Sequence, residues 1–341
     1  MNRFSKLFFF PAFFLLLACG RTDDLQPSPA PGPEPGPEPA VVKKVSLIGD
    51  SITTWKDWVP SGYSCHYPAS SGNEPPTDVS QSYWHILINQ YMKNAKFEKN
   101  IAYSGTNLAD IPKEYFDQWV EKHPTSKTDW YGNDFITRYL KQGGLGNPDI
   151  VIINGGTNDW NHNCGYLVLY PFRQEGDQSR QQLRRTSEMP RSGNGLQLMN
   201  EAFARADAVK TFEEAKALVS YSFVDGYLKL IMLIHTQYPK AKIVMIVPTY
   251  TGKGMQSVIN WMAEHYDFCR SVDLFAVNGF QDVGIWEYDG GWDKTKTYVQ
   301  PHFPTHDFDP ATGHGAHYNI TGMKNIAEKI YDELGPWLEE E

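Results

Sequence analysis

The sequence predicts an α/β fold in which a central, mostly parallel sheet lies between two layers of helices. Two observations predict it: short apolar runs alternate with segments of helical period, and the body of about 300 residues is long enough to bury about 75% of its unfolded surface in one core. Hydrophobic residues make up 41% and charged residues 21% of the chain, which excludes bulk disorder. The net charge of -9 provides no binding surface for a polyanion, so we expect no nucleic-acid partner.

The apolar and helical patterns assign the elements in chain order. We expect strands at Lys44–Gly49, Phe97–Ala102, Pro148–Asn154, Ile243–Val247 and Asp273–Val277. We expect helices over Ser80–Met92, over a segment that carries Phe223, Tyr227, Leu230, Ile231 and Ile234 at spacings of three and four, and over Tyr318–Leu334. The carboxyl ends of parallel strands meet at one edge of the sheet, and we expect the functional residues there.

The first 40 residues have the composition of a targeting signal followed by a tether. A basic stretch, Met1–Lys6, precedes an apolar run, Leu7–Ala18, that is shorter than the roughly 20 helical residues needed to cross a bilayer. We therefore expect a signal peptide over residues 1–18. It ends in Leu-Leu-Ala-Cys19, which resembles the lipobox of bacterial lipoproteins and implies a lipid on Cys19; an ordinary secretory signal is the alternative.

Proline occupies every second position from Pro27 to Pro39, which predicts a semi-rigid spacer on the order of 40 Å long. We therefore expect residues 19–40 to tether a single domain, residues 41–341, to the cell envelope. The expected site is the outer membrane, on either its periplasmic or its surface face, with the lipid anchor as the only contact with the membrane.

Four short motifs stand at the expected edge of the sheet. Gly49-Asp-Ser51, Asn100-Ile-Ala-Tyr-Ser-Gly105 and Gly156-Thr-Asn-Asp159 follow the first three strands, and His317-Tyr-Asn319 precedes the last helix, for which Asn319 is the expected cap. A serine beside an imidazole is a nucleophile and its base, and glycine N–H groups and an asparagine amide can donate to an oxyanion. The alternative is that each motif is only a turn or a helix cap.

In this order the four motifs resemble the sequence blocks of the SGNH hydrolases, also called GDSL esterases and lipases. The resemblance covers the predicted sheet and the last helix, and it leaves residues 55–79, 111–146, 160–218 and 287–316 as insertions. It implies a flavodoxin-like, three-layer α/β/α fold and a carboxylic ester hydrolase. It further implies Ser51 as nucleophile, His317 as base, and an oxyanion hole made by the N–H groups of Ser51 and Gly105 and the amide of Asn158. We expect no cofactor.

One position departs from the family pattern. Family members usually carry an aspartate three residues before the histidine, and this chain has His314 there. The group that orients His317 is therefore open: it is Asp307, Asp309 or a backbone carbonyl.

Histidines crowd the same segment at positions 302, 306, 314 and 317, which is a pattern that zinc sites also use. A metal bound through His317 would occupy the only evident base for Ser51, so we expect no metal.

The substrate is indicated only indirectly. Trp55 and Trp160 follow the serine and asparagine motifs, where their rings either stack on a sugar or pack the insertions. With an extracytoplasmic location, this favours removal of acetyl or similar short acyl groups from carbohydrate, so the expected partner is an acylated small molecule or glycan. Two alternatives stay open: a non-catalytic, glycan-binding surface lipoprotein, and a lipase or thioesterase of the same fold.

Overall fold

A computed structural model of the chain describes residues 41–69, 74–122, 124–125, 128–161, 193–220, 222–248, 253–274 and 317–340. Residues 1–40, including Cys19, lie outside these ranges, so the signal peptide, the lipid anchor and the tether stay predictions. Within the described ranges, no helix combines the length and the apolar character that a bilayer crossing would need.

The strands of the structure form one parallel sheet. They are β1 (Lys43–Gly49), β2 (Ala95–Asn100), β3 (Ile150–Asn154), β4 (Lys242–Val247) and β5 (Cys269–Asp273). Their order across the sheet is β2-β1-β3-β4-β5, with every neighbouring pair parallel. This is the flavodoxin-like order, whose switch point lies between β1 and β3. The serine and asparagine motifs therefore leave the sheet at the place where this fold opens a crevice.

Helices connect the strands and end the chain. They are α1 (Tyr83–Ile86), α2 (Lys113–Lys122), α3 (Phe135–Lys141), α4 (Thr157–Asn161), α5 (Gly193–Asp207), α6 (Phe212–Ala217), α7 (Phe223–Gln237), α8 (Lys253–His265) and α9 (Ile320–Glu339). Asn319 caps α9 as expected, because its side chain accepts a hydrogen bond from the Gly322 N–H at 2.9 Å.

Two apolar cores cover the two faces of the sheet. Consecutive residues of a strand point to opposite faces, and on β3 the side chains of Ile150 and Ile152 join one core while Val151 and Ile153 join the other. The core that contains Ile150 and Ile152 also contains α1 and α9. The core that contains Val151 and Ile153 also contains α3, α5, α7 and α8. The three-layer α/β/α architecture predicted from the sequence is confirmed.

The edge elements differ from the sequence prediction. We predicted the fifth strand at Asp273–Val277, but β5 ends at Asp273, where the prediction began. Its sequence, Cys-Arg-Ser-Val-Asp, has no apolar run, and in this edge strand only Cys269 and Val272 are buried. At the other edge, β2 likewise begins two residues before the predicted Phe97.

The predicted helix over Ser80–Met92 is divided into three short pieces. A 3₁₀ turn at Val79–Gln81 leads into α1, and α1 continues as a π-helix over Leu87–Tyr91. The turn is closed by a capping box between Asp78 and Gln81, which a reading of apolar spacing does not detect.

A buried arginine joins the carboxyl ends of β1 and β2. Arg138 lies on α3, in one of the segments predicted to be an insertion, and its side chain is fully buried. Its guanidinium donates to the carbonyl oxygen of Gly49 at 3.1 and 3.2 Å and to the carbonyl oxygen of Ile101. Burial lowers its pKa to about 10, so it stays charged at neutral pH. The insertion therefore supports the functional edge of the sheet.

Candidate active site

The serine motif forms a tight turn at the end of β1. The Asp50 N–H donates to the carbonyl oxygen of Asn154 at 3.1 Å, which holds the turn against the end of β3. Ser51 then opens a 3₁₀ turn, Ser51–Thr53. Gly49 is required here, since a Cβ at this position would lie 2.5 Å from the hydroxyl oxygen of Thr53. The motif therefore fits both interpretations made from the sequence, because Asp50 caps the turn and Ser51 lies at the edge of the sheet.

Asp50 is buried directly beneath this turn. Its Oδ1 accepts a hydrogen bond from the Ile52 N–H at 3.1 Å, while Oδ2 has no partner among the described residues. Burial raises the pKa of Asp50 to about 7, and the nearby carboxylate of Asp159 adds to the shift, although the Ile52 N–H and the charge of Arg138 act in the opposite direction.

Replacing Asp50 with Asn should therefore change how stability depends on pH. The folded protein binds this proton more tightly than the unfolded chain, whose aspartate has a pKa near 3.8. The free energy of unfolding thus falls as pH rises from about 4 to about 7, and the loss is complete above pH 7. Asp50→Asn keeps the cap acceptor and removes the charge. In urea unfolding, the variant should be more stable than wild type at pH 8, and the difference should shrink towards pH 4.

Asp78→Asn is the matched control for this prediction. Asp78 also caps a 3₁₀ turn, but it is exposed, and hydrogen bonds from the Ser80 hydroxyl and N–H lower its pKa. The sign of its pH dependence is opposite, so this variant should gain no stability at pH 8. If Asp50→Asn and the wild type had the same free energy of unfolding at every pH, the burial of a charge at this site would be contradicted.

The second motif is tied to the first. The Asn100 amide donates to the carbonyl oxygen of Thr53 at 2.9 Å, and its Oδ1 accepts from the Ala102 N–H at 2.9 Å. At the end of the motif, Gly105 has a φ of +80°, a conformation that glycine adopts without strain. Asn100 therefore fixes the serine turn and the glycine loop relative to one another.

The third motif is tied to the loop that follows the second by two of its polar side chains. The Asn158 amide donates to the carbonyl oxygen of Thr106 at 3.2 Å. Asp159 is fully buried, and its two carboxylate oxygens accept from the N–H groups of Leu108 and Ala109, each at 2.9 Å. Burial raises the pKa of Asp159 to about 6, against the effect of these two bonds. The loop that carries Gly105 is thus held close to Asn158.

The fourth motif meets the first across the sheet edge. Nε2 of His317 lies 2.8 Å from Oγ of Ser51, although the two residues are 266 positions apart in the chain. Ser51 is buried with 9% of its surface exposed. This distance is within hydrogen-bond reach, which is what transfer of the hydroxyl proton to an imidazole requires.

The three predicted oxyanion donors lie in the first, second and third motifs. The N–H groups of Ser51 and Gly105 donate to no other protein group in the ranges that the structure describes. The Asn158 amide carries two hydrogens, of which the contact with Thr106 uses one. All three residues named from the sequence as oxyanion donors therefore belong to motifs that the structure holds together.

Other residues at this edge carried no sequence signal. His66 and Tyr67 come from the segment predicted as the insertion 55–79, and both contact the fourth motif. Asp159 belongs to a recognised motif, but its role as an acceptor for the glycine loop was not predicted. Asp307 and Asp309, two of the candidates for orienting His317, lie outside the described residues, as does His314, so the choice between them and a backbone carbonyl stays open.

Of Trp55 and Trp160, the two tryptophans that follow the serine and asparagine motifs, only Trp55 lies among the residues whose side chains the structure describes. It is 4% exposed and stacks on Tyr67, with ring centroids 5.8 Å apart and planes at 6°. Its ring packs the insertion rather than facing a substrate. Within the described ranges, no group of histidine, cysteine and acidic side chains is arranged to hold a metal.

Comparison with known proteins agrees with this architecture. Residues 43–170 match the model of the GDSL-like lipase/acylhydrolase family. No curated protein matches the chain. Two crystal structures of GDSL-like lipases, from Bacteroides uniformis ATCC 8492 and Bacteroides ovatus ATCC 8483, are each 19% identical to it with a TM-score of 0.50. The first match covers 86% of this chain and 96% of the other, and the second covers 87% and 99%.

Residues 43–170, which contain the first three motifs, therefore match the GDSL-like lipase/acylhydrolase family, and the chain shares the fold of two GDSL-like lipases. Both findings support an ester hydrolase of the SGNH hydrolase superfamily.

Proposed function

We propose that the protein is a serine esterase in which Ser51 is the nucleophile and His317 the base, and that it removes short acyl groups, acetyl above all, from carbohydrate. The observation that supports this most directly is the 2.8 Å distance between Oγ of Ser51 and Nε2 of His317. A serine hydroxyl is a weak nucleophile until a base in this position takes its proton.

The reaction follows from that geometry. As Oγ of Ser51 attacks the ester carbonyl carbon, its proton moves to Nε2 of His317 and the carbonyl oxygen becomes an oxyanion. The imidazolium then gives the proton to the alcohol oxygen as the C–O bond breaks, which leaves an acyl-serine. Water attacks this acyl group with His317 again as base, and the acid and the free serine are released.

Stabilisation of the oxyanion is assigned to the N–H groups of Ser51 and Gly105 and to the amide of Asn158. Donors fixed before the reaction cost nothing to reorganise while charge develops on the oxygen. The hydrogen bond to Thr106 and the carboxylate bonds of Asp159 supply that fixation. Each such donor contributes on the order of 3 kcal/mol to the transition state.

A short acyl group is favoured over a long one. The exposed large apolar side chains of the described residues are Val41, Val42, Leu140 and Val219. None of them belongs to the four motifs, which supports a short acyl group over a lipid chain. Since Trp55 is buried, the proposal of a carbohydrate alcohol rests on the expected location instead.

For that location, we propose the outer membrane of the cell envelope, with a lipid on Cys19 as the anchor and the proline-rich stretch as a spacer. Support comes from the residue pattern of positions 1–40 alone. A spacer of this kind would let the domain reach polymeric substrates beyond the lipid surface.

The test compares acyl groups and alcohols on the same enzyme. We expect the purified protein to release acetate from acetylated xylan, and kcat/KM for p-nitrophenyl esters to fall from acetate to butyrate to dodecanoate. Ser51→Ala provides the background rate for every substrate. A preference for dodecanoate would favour a lipase, and binding of xylan without acetate release would favour a glycan-binding protein; either result would overturn the proposal.

A further inference from the structure

A second histidine lies flat against the proposed base. The imidazole rings of His66 and His317 are stacked, with centroids 3.4 Å apart and planes at 10°. Such a separation is van der Waals contact over the whole ring face. His66 is half-buried and belongs to a loop that carries no family motif.

The same loop is bonded to the nucleophile. The His66 N–H donates to the hydroxyl of Thr54 at 2.9 Å, and that hydroxyl donates to the carbonyl oxygen of Ser51 at 2.7 Å. The backbone of His66 is therefore held at a set distance from the residue with which His317 must react.

The neighbouring residue holds the backbone next to the base. The Tyr67 hydroxyl donates to the carbonyl oxygen of Tyr318 at 2.8 Å and accepts from the N–H of Tyr318 at 3.0 Å. Tyr67 is 1% exposed and is itself packed against Trp55. Neither the backbone after His317 nor the stacked ring beside it can shift without breaking these contacts.

We propose that His66 is a positioning residue for the esterase reaction, and that its ring holds the plane of the His317 imidazole so that Nε2 stays directed at Ser51. The inference rests on the function proposed above. A histidine ring turns about its Cβ–Cγ bond over a broad energy well, so contact across one whole face restricts it. This effect needs a flat aromatic ring and not an imidazole in particular.

The test compares three variants: one that lacks the His66 ring, one that carries a phenyl ring in its place, and one that lacks a similarly stacked histidine ring elsewhere. His66→Ala removes the stack, and His66→Phe keeps a flat ring in its place. His235→Ala is the control, because His235 is also half-buried and stacked face to face, on Phe268 at 3.7 Å and 5°, but lies on α7 outside the motifs. Rates are divided by the concentration of sites that a fluorophosphonate labels at Ser51, which corrects for misfolded protein.

We expect His66→Ala to lower kcat per labelled site for p-nitrophenyl acetate by about 10- to 100-fold, since small misplacements of reacting groups have effects of this size. KM should stay near the wild-type value, because no contact with the substrate is removed. His66→Phe should recover most of the lost rate, and His235→Ala should lose stability to urea without losing kcat.

Three results would overturn the inference. They are an unchanged kcat in His66→Ala, an equal loss in the Ala and Phe variants, and a similar loss of kcat in His235→Ala. Failure of the underlying function is a separate result, because it appears as equal turnover by wild type and Ser51→Ala.

Discussion

Replacing Ser51 or His317 with alanine should each lower kcat for p-nitrophenyl acetate by about 10⁴-fold or more, and replacing both should lower it no further than the more damaging single change. The two side chains lie 2.8 Å apart, and the proposed proton transfer needs both of them. The residual rate should come from the donors at Gly105 and Asn158, which both substitutions leave in place. Steady-state kinetics of the two single variants and the double variant measure this.

Controls for this prediction come from the segment around α1. Ser80→Ala changes a serine of the preceding turn, and His85→Ala changes a half-buried histidine that packs against Trp58. Both should retain the wild-type kcat. If the losses of the two single variants at Ser51 and His317 simply multiplied in the double variant, the residues would act independently and the proposed proton transfer between them would be wrong.

Replacing Asn158 with alanine should lower kcat by about 10²- to 10³-fold while KM stays close to the wild-type value. The amide is assigned to a charge that exists only in the transition state, so its loss should not weaken binding of the uncharged ester. Asn158→Asp should be at least as damaging, because a carboxylate of the same shape opposes the developing oxyanion. The measurement is kcat and KM for p-nitrophenyl acetate, with stability to urea measured in parallel.

Stability has to be measured because the Asn158 amide also donates to the carbonyl oxygen of Thr106. Asn89→Ala is a matched control, since its amide donates to the carbonyl oxygen of His85 at the exposed end of the α1 segment. This variant should keep kcat unchanged. A rise in KM at constant kcat for Asn158→Ala would show that the amide binds the substrate and not the oxyanion.

The fold was predictable where strands are buried on both faces. Runs such as Ile150–Asn154 in β3 and Lys242–Val247 in β4 are almost wholly apolar, because each central strand faces a core on both sides. The two edge strands were misplaced for the converse reason: β2 has only one buried residue, β5 mixes buried and exposed residues without a regular period, and short mixed segments of this kind do not show where pairing begins. The start of each edge strand is decided by its hydrogen bonds to the neighbouring strand.

The candidate site was predictable to the extent that its residues are neighbours in a motif. Glycine, serine, asparagine and histidine at the ends of strands carry a local signal, because a tight turn, a cap or a close backbone approach requires those residue types. The contribution of Arg138, which donates to the carbonyl oxygens at the ends of two strands, carries no such signal. It depends on which buried carbonyls α3 happens to approach.

The sequence by itself predicted the layers, the parallel direction of the central strands and the candidates Ser51, Gly105, Asn158 and His317, since each of these predictions rests on residue type and spacing within a few positions. Only the tertiary structure decided that His66 and Tyr67 stand beside His317, that Asp50 is buried as a cap and that Trp55 faces the core. The physical reason is that stacking and burial depend on distances between segments far apart in the chain, and no local preference of a histidine or tryptophan records which partner it will meet.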